Sequence, residues 1–296
     1  RSGGLVRDHR NRRRGPLDRA RTAGLPPDAS HRPNALPLCA LLVIVAAPLV
    51  AQAQSTPPRE GFSATLGLGV VSSSSYEGSP HRRTLVFPDV SMSYRTQALG
   101  TFDLGPQGLT WAPPGDDELH CGLVLTSDPG RLDRRPGRLN PTPGDSRLAG
   151  MGDIDSSVEA GAFVGFGPLL VTARRSLRDE PHAASRVDIA LRHGVALSDR
   201  LGVQVEAAAA WAGRGFMQSH FGVTTAQAAA SGFRVYSPGA GWHRTTLSVA
   251  AEYRLATPWS ARASLTGTRL SDAAADSPIV ARRSFATAAV SVVREF

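Results

Sequence analysis

The sequence alternates apolar and polar residues in stretches of about ten positions. In residues 62–70 the even positions are apolar, whereas the odd positions hold Ser, Thr or Gly. Residues 187–197, 201–211, 245–255 and 259–265 alternate in the same way, with largely apolar residues at the odd positions. Because successive side chains of a β-strand point to opposite faces, each stretch predicts a strand with one apolar and one polar face.

The length of these strands distinguishes a membrane barrel from a soluble sandwich. Strands of soluble proteins run about five or six residues, whereas a tilted strand needs about 9–11 residues to cross a bilayer. Most of the alternating stretches reach that length, and their second face mixes small residues with Arg and Glu, as a polar barrel interior does. We therefore predict an all-β fold over residues 54–296, a transmembrane antiparallel β-barrel of about 10–12 strands.

The phase of the alternation predicts which residues face lipid and which face the lumen. We expect the apolar set to contact lipid: Leu191, Val203, Val205, Leu247 and Val249. We expect the charged residues of the opposite face to form a network that lines or fills the lumen: Asp188, Arg192, Glu206, Arg244, Glu252, Arg254 and Arg262. Trp211 ends one stretch and Trp259 begins another, which is typical of aromatic residues at membrane interfaces.

An export signal precedes the alternating region. Residues 38–50 form an apolar run of thirteen residues, too short for a comfortable helical span of about 20. Ala51-Gln52-Ala53 follows with the small residues that signal peptidase requires. We expect residues 37–53 to be the signal peptide core and cleavage site, with Ala51 and Ala53 as the recognised residues. Residues 1–36 are expected to be a disordered Arg-rich leader, or an upstream mistranslation.

The charge distribution removes the main argument for a nucleic-acid partner. The chain has a net charge of +8, but residues 1–36 hold nine arginines against three aspartates. The rest is close to neutral, so the partner that we expect is outer-membrane lipid and not nucleic acid.

The reactive residues predict neither an enzyme nor a cofactor. All 33 basic residues are Arg, which excludes every site that requires Lys, such as a Walker phosphate loop. Cys121 is the one cysteine after the predicted cleavage site, so no disulfide is expected there. Asp116, Asp117, Glu118 and His120 could bind a metal ion, but a charged turn before a strand is the commoner arrangement, and we expect no metal.

Several segments resemble the MipA/OmpV family of outer-membrane β-barrel proteins, the MltA-interacting protein family. The segments are GLGVVSSSSYEGSPHRRTLVFPDVSMSYR (67–95), LAGMGDIDSSVEAGAFVGFGPLLVTAR (148–174), FGVTTAQAAASGFRVYSPGAG (221–241) and YRLATPWSARASLTGTRLSDAAADSPIV (253–280). The FGVT and DSPIV blocks are the most specific. The last strand ends on Phe296, which resembles the assembly signal of such barrels, although Arg294 stands where the family usually has Tyr.

The resemblance implies several functions and does not choose among them. The name-giving member bridges a lytic murein transglycosylase and a murein synthase, which implies a scaffold with periplasmic partners. A narrow channel with a charged lumen is the second possibility. The third is a surface adhesin, for which the Pro-, Gly- and Arg-rich segment 126–153, expected to be one long loop, is the only indication.

Overall fold

A computed structural model describes four stretches of the chain, residues 60–115, 118–133, 144–177 and 184–296. The predicted leader and signal peptide, including Ala51 and Ala53, lie outside these described residues. Signal-peptide processing therefore stays a prediction.

Twelve β-strands make up most of the described chain, which confirms the predicted all-β barrel and its strand number. They are β1 (Gly61–Ser74), β2 (Arg82–Thr96), β3 (Gly100–Gly105), β4 (Gly108–Ala112), β5 (Leu119–Asp128), β6 (Ser157–Phe166), β7 (Leu169–Ser176), β8 (Ser185–Ala196), β9 (Leu201–Ala212), β10 (Gly241–Ala256), β11 (Trp259–Leu270) and β12 (Ser284–Glu295).

The sheet closes on itself. Each strand pairs antiparallel with its neighbour in sequence, and β1 pairs with β12, with Leu68 opposite Val292 and Val70 opposite Val290. A closed ring has no free edge, so the backbone N–H and C=O groups of every strand find partners within the wall.

The strand registers place the alternating residues on two faces of this wall. Leu191 of β8 and Leu247 of β10 both lie opposite Ala207 of β9, and their side chains are 54% and 59% exposed. Glu206, the residue before Ala207 in β9, points to the other side of the wall, where Arg192 of β8 lies opposite it. The outer face is therefore apolar and the inner face polar, which is the arrangement of a barrel in lipid.

The two ends of the barrel differ in the length of their connections. Five turns of two to six residues lie at the end where β1 begins and β12 ends, here called the turn end. At the opposite end, here called the loop end, five of the six connections run 7 to 28 residues, and the sixth is the two-residue β3–β4 turn. The long connections contain α1 (Arg214–Phe221), α2 (Thr225–Ser231), α3 (Asp272–Ala275) and a 3₁₀ turn (Ser146–Leu148). No helix in the described part of the chain is long and apolar enough to cross a membrane.

Exposed aromatic side chains ring the turn end. They are Phe62, Tyr94, Phe166, Tyr253, Trp259 and Phe296. At the loop end Trp211 lies opposite Trp242, which is exposed. Amphipathic rings at both rims suit the two interfaces of a bilayer.

The expectation that residues 126–153 form one irregular loop was wrong at its start. Residues 126–128 complete β5 and pair with residues 157–159 of β6. The strand continues because the inward positions Thr126 and Asp128 keep the alternation, which the Gly- and Pro-rich sequence that follows had obscured.

The two faces of the wall should tolerate charge very differently. We expect Val205→Arg, on the outer face near the middle of β9, to lower the free energy of unfolding by about 2–4 kcal/mol. Gln204→Arg is the matched control, because the adjacent side chain points into the polar interior. Urea titration of the barrel in lipid bilayers measures both, and equal losses for the two variants would contradict the assigned faces.

A loop cap and a charged interior as candidate functional site

Loops from all around the ring meet in one hydrophobic core at the loop end. Its buried residues are Tyr76, Leu148, Met151, Val223 and Ile279. The β1–β2, β5–β6 and β9–β10 loops that supply four of them start four strands apart on a ring of twelve. A core shared by three evenly spaced loops must lie over the opening of the barrel. We call this assembly the loop cap: residues 75–81, 129–133, 144–156, 213–240 and 271–283.

The segment 76–79 joins the first loop to the rest of the cap. The Tyr76 hydroxyl donates a hydrogen bond to the Ile279 carbonyl at 2.8 Å, and burial raises the pKa of Tyr76 to about 12. Gly78 has a φ of +93°, and a Cβ there would come within 2.8 Å of the Val280 side chain, so only glycine fits. Glu77 reaches down from the cap to form an ion pair with Arg244 of β10.

Asp145 connects the first loop to the β5–β6 loop. Its carboxylate accepts hydrogen bonds from the Ser79 hydroxyl at 2.6 Å, from the Arg147 backbone N–H at 3.0 Å and from His81 Nδ1 at 3.0 Å. Burial acts to raise the pKa of Asp145, but these hydrogen bonds outweigh it and hold the pKa below its ordinary value.

The FGVT block, residues 221–224, lies at the junction of α1 and α2. Val223 forms a β-bridge with Tyr236, and Thr224 begins α2 with a capping box in which its hydroxyl accepts from the Gln227 N–H. Gln227 in turn donates to the Met151 carbonyl at 2.6 Å, across to the β5–β6 loop.

The DSPIV block, residues 276–280, is the counterpart of the FGVT block in the β11–β12 loop. The Ser277 hydroxyl donates to the Phe221 carbonyl at 2.5 Å, and the Ile279 side chain is fully buried in the cap core. The most specific parts of the family resemblance therefore contact each other, and both belong to the cap.

A cluster of charged side chains on the inner wall lies beneath α1. The Arg186 guanidinium forms ion pairs with Glu159 at 2.6 Å and Asp128 at 3.4 Å, and lies 4.8 Å from the centre of the Phe216 ring of α1. His220 of α1 stacks on Phe216 and places Nε2 3.6 Å from Asp128. The cluster therefore holds α1 against strands β5, β6 and β8.

A second cluster crosses the seam at which the ring closes. Arg262 of β11 forms ion pairs with Glu252 of β10 at 2.9 Å and with Asp89 of β2 at 3.5 Å. Asp89 is 1% exposed and also accepts a hydrogen bond from Ser291 of β12 at 2.6 Å. Strand β2 on one side of the β1–β12 contact is thereby linked from within to β10, β11 and β12 on the other side.

Six of the seven residues predicted for the charged network are ion-paired in the structure: Asp188, Arg192, Glu206, Arg244, Glu252 and Arg262. Arg192 pairs with Glu206 and Asp188 pairs with Arg174, whereas Arg244 pairs with the cap residue Glu77. Arg254 is exposed, and within the described part of the chain it takes part in no ion pair. A functional role for this network stays a prediction.

Sequence reasoning missed several deeply buried charges of the interior. Asp89, Glu159 and Arg186 are each under 10% exposed. Asp89 was detectable, because it alternates with Val86, Pro88 and Val90. Glu159 lies among Ala and Gly residues that occupy both faces of β6 and weaken the alternation.

The structure describes only part of the possible metal-binding segment, together with the free cysteine. Asp116 and Asp117 lie outside the described residues, and within the described ranges no group of three or more His, Cys, Asp or Glu side chains could hold a metal ion. Cys121 is a free, exposed thiol opposite Val164 on the outer face.

The Arg294 guanidinium lies 4.9 Å from the centre of the Phe296 ring, and the role of Phe296 in assembly stays a prediction.

Comparison with known proteins identifies one family. The model of the family "MltA-interacting protein MipA" matches residues 66–296. No curated protein matches the sequence.

Solved structures with a similar arrangement are outer-membrane barrels. OmpT of Vibrio cholerae is 8% identical, with 79% of this chain and 97% of that chain covered and a TM-score of 0.34. The NanC porin is 8% identical, with 77% and 98% covered and a TM-score of 0.39. The translocator domain of the autotransporter NalP from Neisseria meningitidis is 10% identical, with 81% and 90% covered and a TM-score of 0.35.

Asp145 should make the cap sensitive to acid. A carboxylate with a lowered pKa in the folded state stabilises that state above its ordinary pKa of about 3.9, and loses this effect as the pH falls through the lowered value. We expect the protection factors of the backbone amides in residues 146–151, which are corrected for the intrinsic pH dependence of exchange, to fall below about pH 4. In Asp145→Asn the protection factors should be lower at neutral pH and their acid-induced step smaller. Asp199→Asn, in a turn at the opposite end, is the control, and an acid-induced step of equal size in Asp145→Asn would contradict the assignment.

Proposed function

Because the chain belongs to the MltA-interacting protein MipA family, we propose that this outer-membrane β-barrel is a docking platform for murein-processing enzymes and not an open pore. The partners that the family's name suggests are a lytic murein transglycosylase of the MltA type and, with it, a murein synthase. The barrel has no catalytic part in this proposal.

The loop cap is the observation that carries the proposal. An open channel needs a continuous water-filled path, whereas here three evenly spaced loops share a buried core over one mouth. The buried charges of the interior are also paired with each other, as in Arg186 with Glu159 and Arg262 with Glu252. Pairing avoids the cost of isolated buried charges and leaves little net charge to select ions.

The difference between the two ends of the barrel indicates which end faces the periplasm. Periplasmic turns of outer-membrane barrels are short and extracellular loops are long, which assigns the turn end to the periplasm. Murein lies in the periplasm, so the docking surface would consist of the short turns, together with the start of β1. Of the expected docking segment 54–61, residues 54–59 lie outside the described part of the chain. The exposed turn residues Gln97 and Asp199 belong to this surface.

The adhesin and channel alternatives have less support. The adhesin alternative depended on a free loop at 126–153, but the described residues 144–151 pack into the cap. A channel would require the cap to open, and Glu77, Asp145 and Ile279 all make contacts that oppose opening.

A pull-down with purified components tests the proposal. The barrel in detergent is immobilised and incubated with an MltA-type lytic transglycosylase from the same cell envelope. We expect the wild type to retain the enzyme and the double variant Gln97→Arg/Asp199→Arg to retain at least about five-fold less, because like charges and added bulk disrupt a complementary surface.

The matched control carries the same two changes on the exposed face of the cap, as Ala229→Arg/Val235→Arg. It should bind like the wild type. Absence of the transglycosylase from the wild-type eluate would refute the docking proposal. If the cap variant lost binding and the turn variant kept it, the docking surface would lie at the loop end, contrary to the proposal.

A further inference from the structure

Three exposed arginines lie in one sector of the loop end, two on the outer wall and one in the adjoining β11–β12 loop. Arg82 is the first residue of β2, Arg269 is the second-last residue of β11, and Arg282 lies two residues before β12. These strands flank the β1–β12 seam. In the described part of the chain none of the three is ion-paired, whereas the neighbouring Arg283 pairs with Asp276 at 2.8 Å. We call Arg82, Arg269 and Arg282 the arginine patch.

Arg82 is held in place by neutral acceptors only. Its guanidinium donates to the Ser72 hydroxyl at 3.0 Å, to the Ser72 carbonyl at 3.1 Å and to the Ala286 carbonyl at 2.9 Å. The side chain therefore lies across β1 and β12 with its charge uncompensated. A fixed cation with one free N–H suits the charge of an oxyanion such as a phosphate, and the other arginines of the patch supply further donors.

Arg269 is close enough to act on the same anion. It pairs in register with Ser284, two residues from Ala286, whose carbonyl binds the Arg82 guanidinium. With a rise of about 3.3 Å per residue and about 4.8 Å between strands, the Cα of Arg269 lies about 8 Å from the Cα of Ala286. The long side chain of Arg269 spans most of this distance.

The wall below the patch is apolar. Leu265 lies four residues from Arg269 on the same face of β11, and Val86 lies four residues from Arg82 on the same face of β2. Both are more than half exposed. Cations above an apolar wall match a lipid with a phosphorylated headgroup and acyl chains.

We propose that the arginine patch binds the phosphate groups of lipid A, the anchor of lipopolysaccharide in the outer leaflet. The sidedness that the long loops indicate puts the patch in that leaflet, and the bilayer itself supplies this phosphorylated lipid there. The patch is on the opposite rim from the proposed docking turns. The two proposals rest on the same sidedness, but lipid binding and enzyme binding are measured at different surfaces, so the failure of one can be distinguished from the failure of the other. Bound lipid A would also cover the side of the cap that carries the DSPIV block.

A binding titration tests the proposal on the full chain refolded in detergent without lipopolysaccharide. The probe is bisphosphorylated lipid A, with the same lipid freed of its phosphates and phosphatidylglycerol as comparisons. We expect the wild type to bind the bisphosphorylated form about 100-fold more tightly than Arg82→Gln/Arg269→Gln/Arg282→Gln, since each basic residue near an anionic lipid contributes about five-fold. The double variant Arg269→Gln/Arg282→Gln keeps the Arg82 contacts of the seam and should lose about 20-fold.

The control is Arg200→Gln/Arg214→Gln/Arg254→Gln, which removes three exposed charges elsewhere on the barrel and should bind like the wild type. Binding by either patch variant within about three-fold of the wild type would overturn the proposal. Equal wild-type affinity for phosphate-free lipid A or for phosphatidylglycerol would overturn it as well.

Discussion

The antiparallel contact between β1 and β12 is the interaction on which the whole structure depends. In a hydrocarbon environment an unpaired backbone N–H or C=O has no water to bind, so a spanning sheet must close completely. Closure brings residues more than 200 positions apart into register, and the side chains on both faces adapt to it. Inside, Asp89 of β2 links to Ser291 of β12 and to Arg262 of β11 across the seam. Outside, Arg82 lies over the same seam.

A closed ring has an interior that side chains or water must occupy. In this chain ion-paired side chains of the inner wall project into that interior. Isolated buried charges are costly, but Arg186 has two carboxylates and Arg262 has two as well. The Arg186 cluster also holds α1, which belongs to the loop cap, because the Arg186 guanidinium lies over the Phe216 ring. The interior and the cap are therefore coupled, and this coupling opposes opening of the loop end.

The sequence predicted the wall well and the cap poorly. Strands β1 and β8–β11 followed from a two-residue period that both faces obey, and family resemblance supplied the FGVT and DSPIV blocks. The period could not reveal that Tyr76 binds Ile279 or that Asp145 binds Ser79, because such contacts join distant loops and leave no local pattern. The alternation predicted that Arg192 and Glu206 share the inner face, where they form an ion pair, but it could not reveal that Arg244 pairs with the loop residue Glu77.

Single-channel conductance tests the central claim, that the loop cap closes one mouth of the barrel. The wild type, reconstituted in a planar bilayer, should show no steady conductance above that of the lipid. A variant in which residues 214–239 are replaced by a short Gly/Ser turn loses α1, α2 and Val223, and should conduct, because the shared core over the opening is removed. A steadily open wild-type channel, with a conductance that the replacement leaves unchanged, would contradict the account.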